Sequence, residues 1–539
     1  MPNHSNKIQS KVRLIILVFV GILALILPIF RGDVVLLDPF HYGEFFAATV
    51  GLFSDSNYSS LPLTIHGSLD FIPALIAERQ WGGDNYFLPT FAIYKFLNFL
   101  AAIFLTLIAY QLIKYKSHRW SLLLAVAAAA PLLVGYRDMI LLVSIYLFIQ
   151  ISDFDAGRGL SIFLQMVFGA IVAFGMFWSY DRGIAGALSL GTAVLVLLFR
   201  SRWYAISLVS FVATVAGLNL FFKVFSLHGY LNNVFILMET SGQWSYGWKR
   251  EPVVLTALAV IFNAASIFLL IRENLKSKLI TEKLPIVLCF IFLSIFMLKM
   301  GINRADLEHI YFSFWIPMLV ILSLHERNVA IKIGAGVFIG VIFTAAILLL
   351  ISPRIYGLVL VVGILFFTVA RISNEGINKS SRIFFKLMIV GCLGSISYMG
   401  VKSFSNGQYA WVKSISSPAS NRLSATDGVV WASDRLKERA VECVFDLSNN
   451  GVINGLLRRP SCSRFTYPVY AGPNHEAILI SDLRDTSPGA IVYSSTYWSY
   501  SIDGRDMKNR FPKLDEYILK NYPEEECRYG YCVRYTGVR

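Results

Sequence analysis

The sequence predicts a polytopic α-helical membrane protein with a small α/β domain at its C-terminal end. Hydrophobic residues make up 56% of the 539 residues and charged residues only 15%, which is far from the composition of soluble domains. Residues 1–401 consist mostly of long apolar runs of the length of membrane-spanning helices. From residue 402 the chain is more polar, so we expect residues 1–401 to form a membrane domain and residues 402–539 a separate domain.

The apolar runs predict about thirteen transmembrane helices. They lie at 13–30, 88–113, 119–134, 139–151, 160–177, 184–199, 204–222, 253–271, 283–300, 310–324, 329–351, 356–370 and 383–401. The first run is followed by no convincing cleavage site, so we interpret it as a retained helix rather than a signal peptide. Lysine and arginine are concentrated in alternate connections. The positive-inside rule then predicts a cytoplasmic N-terminus, outer loops at 31–87 and 223–252, and a periplasmic or extracellular C-terminal domain on a cytoplasmic (inner) membrane.

Composition and motifs also exclude several functions. The formal net charge of +14 comes from short scattered clusters rather than from one basic stripe, so we expect no nucleic-acid partner. The chain has no Walker loop, no dinucleotide glycine motif and no nucleophile elbow in a strand–turn–helix setting. The partners we expect are therefore the lipid bilayer and substrates that reach the protein at the membrane surface.

The C-terminal region carries four of the six cysteines: Cys443, Cys462, Cys527 and Cys532. Four cysteines allow three pairings, and the closest spacings favour Cys443–Cys462 and Cys527–Cys532. Such disulfides imply an oxidising outer compartment; four unpaired buried thiols are the alternative. In the same region, 475–489 and 514–522 have helical patterns and 490–495 has a strand pattern, which predicts a small α/β fold.

Four polar segments interrupt the apolar runs, at 31–44, 135–138, 178–183 and 301–309. The predicted topology places all four on the outer side of the membrane. An ionisable group near hydrocarbon costs about 2.5–3.5 kcal/mol on insertion scales. Groups retained at that cost on one side of the bilayer indicate an active site.

The first polar segment, RGDVVLLDPFHYGE, supplies the catalytic candidates Asp38, His41 and Glu44. Asp38 precedes a proline, so it is either a helix N-cap or a catalytic base, and one role does not exclude the other. His41 and Glu44 follow at three-residue steps and share one helical face with it. The residues that follow, to about 53, have the aromatic and small-residue character of a helix lying in the membrane interface.

The remaining candidates fall into two groups by side-chain chemistry. Arginine and lysine suit phosphate oxygens, and the candidates for a donor phosphate are Arg137, Arg182, Lys299 and Arg304. The candidates for other substrate contacts are Asp33, His66, Asp181, Asp306 and His309. Interfacial ion pairs are the alternative for the adjacent charges at 181–182 and 304–306. A divalent cation stays open as a cofactor, because the spacing of the acidic and histidine residues matches no specific metal signature.

The order of these features resembles the GT-C superfamily of membrane glycosyltransferases over nearly the whole chain. The shared features are a first helix, an outer loop that opens with an acidic motif, about a dozen further spans and an exoplasmic tail domain. The acidic residue of the family's first outer loop maps onto Asp38, with Asp33 as the alternative. The Arg304–Asp306–His309 cluster resembles the polar outer end of a late helix in bacterial members. An adjacent pair of acidic residues, present in several branches, is absent there.

The resemblance implies an enzyme that takes a sugar from a polyprenyl-phosphate donor and transfers it to an envelope glycan, lipid or protein acceptor. Asp38 would act as the general base, and arginines would hold the donor phosphate. Two alternatives stay open. One is a polymerase or ligase that uses polyprenyl-diphosphate-linked glycans, and the other is a transporter or flippase for lipid-linked sugars.

Overall fold

The computed structural model describes residues 40–53, 62–113, 134–153, 159–221, 226–240, 250–276, 280–304, 309–310, 312–323, 420–423, 425–494, 501–502 and 505–537, with the single residues 123, 126, 130 and 133. The predicted spans 13–30, 329–351, 356–370 and 383–401, and most of 119–134, lie outside these residues. So do three candidate site residues, Asp33, Asp38 and Asp306.

Helices dominate the first part of the described chain. They are α1 (His41–Phe53), α2 (Ile72–Trp81), α3 (Phe87–Leu112), α4 (Met139–Asp153), α5 (Gly159–Trp178), α6 (Tyr180–Leu198), α7 (Ala205–Phe221), α8 (Leu227–Thr240), α9 (Arg250–Lys276), α10 (Ile280–Arg304) and α11 (Trp315–Ser323). Eight of the predicted spans coincide with one of these helices, within a few residues at most ends. The apolar runs therefore located the helices correctly.

Among the residues that the structure describes, five helical stretches are long and apolar enough to cross a membrane: Phe87–Leu112, Gly159–Trp178, Tyr180–Leu198, Arg202–Leu220 and Leu284–Asn303. The prediction of a helical membrane protein is confirmed at this level, and the total of thirteen helices stays a prediction. One apolar core joins α3, α4, α5, α6, α9, α10 and α11. The backbones of α5 and α7 approach closely, since a Cβ on Gly169 would lie 2.2 Å from the carbonyl oxygen of Ser207. Small residues permit such close packing between membrane helices.

The C-terminal region contains short helices and a small sheet. The helices are α12 (Ser420–Leu423), α13 (Asp427–Glu438), α14 (Val452–Leu457), α15 (Glu476–Thr486), α16 (Met507–Arg510) and α17 (Pro512–Asn521). The strands are β1 (Ala490–Ser494), β2 (Ser501–Ile502), β3 (Arg505–Asp506), β4 (Glu524–Arg528) and β5 (Tyr531–Tyr535). Three strands form an antiparallel sheet in the order β1-β5-β4, and β2 pairs with β3. The two helices and the strand expected at 475–489, 514–522 and 490–495 are all present.

Two disulfides join the four C-terminal cysteines in the pairing that their spacing favours. Cys443 and Cys462 have Cα atoms 4.9 Å apart. Cys527 and Cys532 lie opposite each other on β4 and β5. Each bridge restricts the unfolded chain and so stabilises a small fold with a limited core.

The C-terminal region packs directly on α1 and on the residues that follow it. The Tyr467 hydroxyl donates a hydrogen bond of 2.8 Å to the carbonyl oxygen of Phe40. A Cβ on Gly43 would lie 2.7 Å from the backbone nitrogen of Gly451, so the two backbones touch. Phe45 and Phe46 are fully buried in the core that α1 shares with α13 and α14. The interfacial position of α1 stays a prediction, and the structure adds that distant C-terminal residues cover most of this helix.

Candidate active site

Residues 62–70 lie on the break between helices α5 and α6. The backbone nitrogen of Tyr180 donates to the carbonyl oxygen of His66 at 2.8 Å, and that of Leu69 donates to Phe177 at 2.9 Å. A Cβ on Gly67 would lie 2.1 Å from the carbonyl oxygen of Trp178. Only a glycine permits this contact, so the segment that carries His66 is fixed on one end of the membrane helices.

Replacing Gly67 with Ala is expected to destabilise the protein by about 1–3 kcal/mol, as overpacking of a close contact does, and to displace His66. Thermal unfolding in detergent measures the effect. The matched control is Gly191→Ala in α6, where a Cβ meets nothing within 4 Å, and helix propensity favours alanine by about 0.5–1 kcal/mol. Equal unfolding temperatures for Gly67→Ala and the wild type would show that the segment is not held as described.

Two carboxylates and an imidazole form a buried cluster behind this segment. His66 Nδ1 lies 3.2 Å from Glu44 Oε2 and 3.9 Å from Asp70 Oδ2. Glu44 Oε1 accepts a hydrogen bond of 2.5 Å from the backbone nitrogen of Ile65. Glu44 and Asp70 are fully buried, and His66 is 7% exposed. We refer to Glu44, His66 and Asp70 as the acidic cluster.

Burial sets the electrostatics of the acidic cluster. It raises the pKa of Glu44 to about 8, against smaller opposing effects from the Ile65 backbone, Arg137 and the Tyr470 hydroxyl. Burial also holds the pKa of Asp70 well above its usual range, and the neighbouring Glu44 carboxylate raises it further. Two neighbouring buried carboxyl groups do not both ionise, so the pair retains a proton near neutral pH.

Beside the acidic cluster, two arginines and two aspartates form an ion-pair network that joins the segments 135–138 and 178–183. Arg137 Nη2 lies 2.8 Å from both carboxylate oxygens of Asp181. Arg182 pairs with Asp181 and, at 3.3 Å, with Asp138. The Ser179 hydroxyl and the backbone nitrogen of Arg182 also donate to Asp181. Four donors therefore converge on the Asp181 carboxylate.

The two arginines differ in how far they are engaged. Arg182 is 2% exposed, and the rest of its surface faces the Phe312 ring, 5.2 Å from its guanidinium carbon. Arg137 is more accessible, and its Nε has no hydrogen-bond partner among the residues that the structure describes. Arg182 thus holds the network together, and Arg137 is the more accessible of the two guanidinium groups.

A small cleft lies next to Arg137. Its wall is apolar and rich in small residues from α4, α5 and α6: Ile140, Leu141, Ser144, Val172, Gly175, Trp178, Gly183, Gly186, Ala187 and Leu190. Both Arg137 and Arg182 line it. The cleft therefore places two arginines beside an apolar wall on three helices.

The other candidates from the sequence are placed as follows. His41 is exposed at the start of α1, with its ring centroid 5.6 Å from that of His66. His309 contacts the ring of Phe312, so the fourth polar segment also reaches the network. Lys299 is exposed on α10. Arg304 is the last residue of α10, and its side chain lies outside the described part of the chain.

Sequence reasoning missed Asp70, Asp138 and Tyr470 as site residues. Asp138 lies in the polar segment 135–138, and its position next to Arg137 could have identified it as a site residue. Asp70 follows His66 by four residues, but in a long loop this spacing is only weak evidence that the two side chains meet. Nothing in the local sequence connects Tyr470 with Glu44, because they are brought together only by the folding of the C-terminal region.

A metal centre has limited support in the described residues. The single set there with ligand atoms within 4.8 Å of one another is Glu525, Cys527 and Cys532. Its two cysteines are disulfide-bonded, so their sulfurs are not available as thiolate ligands. A cation near Asp38 remains a prediction from the sequence, because Asp38 lies outside the described residues.

No protein-family model matches the chain, and no curated protein sequence matches it. Solved structures do match. The chain is similar to an archaeal oligosaccharyltransferase. AglB from Archaeoglobus fulgidus, in complex with an inhibitory peptide and a dolichol-phosphate, matches with a TM-score of 0.49 and 11% identity over 98% of this chain and 74% of AglB.

The oligosaccharyltransferase of the same organism, tethered to an acceptor peptide containing the NVT sequon, matches with a TM-score of 0.46 and 12% identity over 95% of this chain and 72% of that chain. The archaeal enzyme belongs to the GT-C superfamily. The structural neighbours are thus GT-C membrane glycosyltransferases at low sequence identity to this chain.

Proposed function

We propose that the chain is a membrane glycosyltransferase that moves a sugar from a polyprenyl-phosphate donor to an envelope glycan, lipid or protein acceptor. The reaction takes place at the outer face of the cytoplasmic membrane. The observation that carries the proposal is the cleft beside Arg137, which joins an apolar wall on membrane helices to a guanidinium group next to two buried carboxylates.

The lipid tail and the phosphate of a polyprenyl-phosphate donor each have a suitable counterpart in the cleft. The apolar tail needs a surface within the hydrocarbon layer, and the wall formed by α4, α5 and α6 supplies one. The phosphate needs a cation at the end of that surface. The Arg137 guanidinium, which lines the cleft, is suited to a phosphate oxygen because charge-assisted hydrogen bonds of guanidinium groups are strong and directional. Arg182 supports this arrangement by fixing Asp181, the partner of Arg137.

The chemical step requires a base for the acceptor hydroxyl and a stabilised leaving group. In the proposed mechanism Asp38 accepts the hydroxyl proton as the anomeric carbon develops positive charge. Such general-base catalysis is worth about 10²–10⁴-fold in rate. Cations that stabilise the departing phosphate lower the activation free energy further, and theirs is the larger contribution. His41 and Glu44 follow Asp38 in the chain and assist it, and no nucleotide site is needed because the sugar arrives already activated.

Replacing Arg137 with Gln is expected to raise the KM for the lipid donor about tenfold to a hundredfold, since a hydrogen bond to a charged group is worth about 1.5–3 kcal/mol. The assay uses purified protein in liposomes with radiolabelled polyprenyl-phosphate sugars and candidate envelope acceptors. The matched control is Arg202→Gln, an exposed arginine at the opposite end of α6, which should leave the donor KM unchanged.

The same assay separates the proposal from its alternatives. An unchanged donor KM in the Arg137→Gln protein contradicts the phosphate role. Consumption of a diphosphate-linked glycan alone would instead favour a polymerase or ligase. Movement of the lipid-linked sugar across the bilayer without a new glycosidic bond would favour a flippase.

A further inference from the structure

The acidic cluster contains more potential negative charge than its surroundings compensate. Glu44 and Asp70 are both fully buried. Neither oxygen of Asp70 accepts a hydrogen bond from another of the described residues. An uncompensated carboxylate in a dry environment is so costly that the group binds a proton instead. The geometry alone therefore argues that the two carboxyl groups do not both ionise.

The charged and titratable groups around the cluster do not remove this excess. Among the described residues, the cation that acts on both carboxyl groups is Arg137, and its guanidinium is paired with Asp181. The Asp181 carboxylate itself acts on Asp70 as a like charge. The other titratable neighbours in the described part of the chain are His41, Tyr42, Tyr94, Tyr136, Tyr180 and Tyr470. The phenols are neutral near pH 7, so they add hydrogen-bonding groups and no positive charge.

We propose that Glu44 and Asp70 share one proton through the His66 imidazole, and that the acidic cluster removes the proton that each glycosyl transfer releases. This role rests on the proposed function. His66 Nδ1 lies between the carboxyl groups, 3.2 Å from one and 3.9 Å from the other. An imidazole in that position can pass a proton between two acids because it both accepts and donates one.

The proton balance of the reaction explains why such a cluster is needed. The acceptor O–H bond breaks as its oxygen bonds to the anomeric carbon, and the bond from that carbon to the phosphate oxygen breaks with its electron pair on the phosphate. One proton is left on the base, Asp38 in the proposed mechanism, and must leave before the next turnover. A cluster that holds one proton keeps a second basic oxygen, so it can accept this one.

His41 provides the way out of the cluster. Its ring lies 5.6 Å from that of His66, centroid to centroid, and its side chain is exposed at the start of α1. The two imidazoles thus lie between the buried carboxyl groups and the exposed start of α1. His41 and Glu44 follow Asp38 by three and six residues in the sequence.

The test is an infrared difference spectrum between the wild-type protein and the Asp70→Asn variant, recorded without substrate near neutral pH. A shared proton predicts the carbonyl stretch of a protonated carboxylic acid in the wild type, reduced in the variant. Its intensity should fall as the pH rises through about 8, where Glu44 loses its proton. The control variant is Asp434→Asn, an exposed carboxylate paired with Arg422, which should change only ionised carboxylate bands.

The spectrum and the transfer assay test separate claims, and either claim can be contradicted without the other. A wild-type minus Asp70→Asn spectrum without a protonated-acid band overturns the proton sharing, even in a protein that transfers sugar. The relay role further predicts that Asp70→Asn lowers kcat and changes its pH profile, with the donor KM and the unfolding temperature nearly unchanged. An unaltered kcat–pH profile overturns the relay. Absence of any sugar transfer by the wild type removes the proposed function and leaves the spectral result in place.

Discussion

Replacing Asp181 with Ala is expected to destabilise the folded protein by about 3–5 kcal/mol and to abolish transfer. The reason is that Asp181 pairs with both Arg137 and the buried Arg182. Without it, the Asp138 carboxylate near Arg182 has to balance two guanidinium groups, and breaking a buried ion pair is costly. Arg137 loses its partner at the same time. Thermal unfolding in detergent measures the stability, and the donor assay measures the activity.

A surface ion pair serves as the control for this prediction. Asp434 pairs with Arg422 where both side chains are about half exposed, and such pairs contribute about 0–1 kcal/mol. Asp434→Ala should therefore leave the unfolding temperature almost unchanged. The triple replacement of Asp138 with Asn, Asp181 with Ala and Arg182 with Leu should recover part of the lost stability, because Asp138, the other buried partner of Arg182, is then uncharged as well. Equal losses in the single and triple variants would argue against this explanation.

Replacing Asp38 with Asn is expected to lower the rate of transfer by about 10²–10⁴-fold, the usual contribution of a general base. The amide has nearly the same size and retains the ability to cap a helix, so folding and donor binding should be nearly intact. Turnover of radiolabelled donor measures the first effect, and donor retention on the purified protein measures the second.

Asp33 is the matched comparison, because it lies in the same segment and is the alternative base. Asp33→Asn should transfer sugar at close to the wild-type rate. If the two variants show the reverse pattern, Asp33 is the base. Wild-type turnover in both would exclude a catalytic carboxylate in this part of the first outer loop.

Local sequence was sufficient to locate most of the described helices. Long apolar runs define α3, α5, α6 and α10 because a membrane-spanning helix must satisfy its own backbone hydrogen bonds and present apolar side chains to lipid. The environment of α1 could not be obtained in this way. Its aromatic and small residues fit an interfacial helix equally well, and only residues more than 400 positions away decide that it is buried.

The candidate site was likewise predictable from the sequence only in part. Charges at 135–138 and 178–183 are conspicuous in apolar surroundings, and the predicted topology brings them to the same end of the helices, where the structure pairs Arg137 with Asp181. The partner of Glu44 could not be predicted, since Asp70 and His66 reach it through the fold of a long loop that a single glycine, Gly67, holds against Trp178. Periodicity carries no information about such contacts.

The crossing of Gly43 with Gly451 has a consequence for biogenesis. Helix α1 leaves the ribosome well before Gly451, since about 400 residues separate the two backbones that touch. Contacts so distant along the chain form late. During synthesis α1 therefore lacks the residues that cover it until the helices between them have been translated, and its aromatic side chains become buried only after that stage.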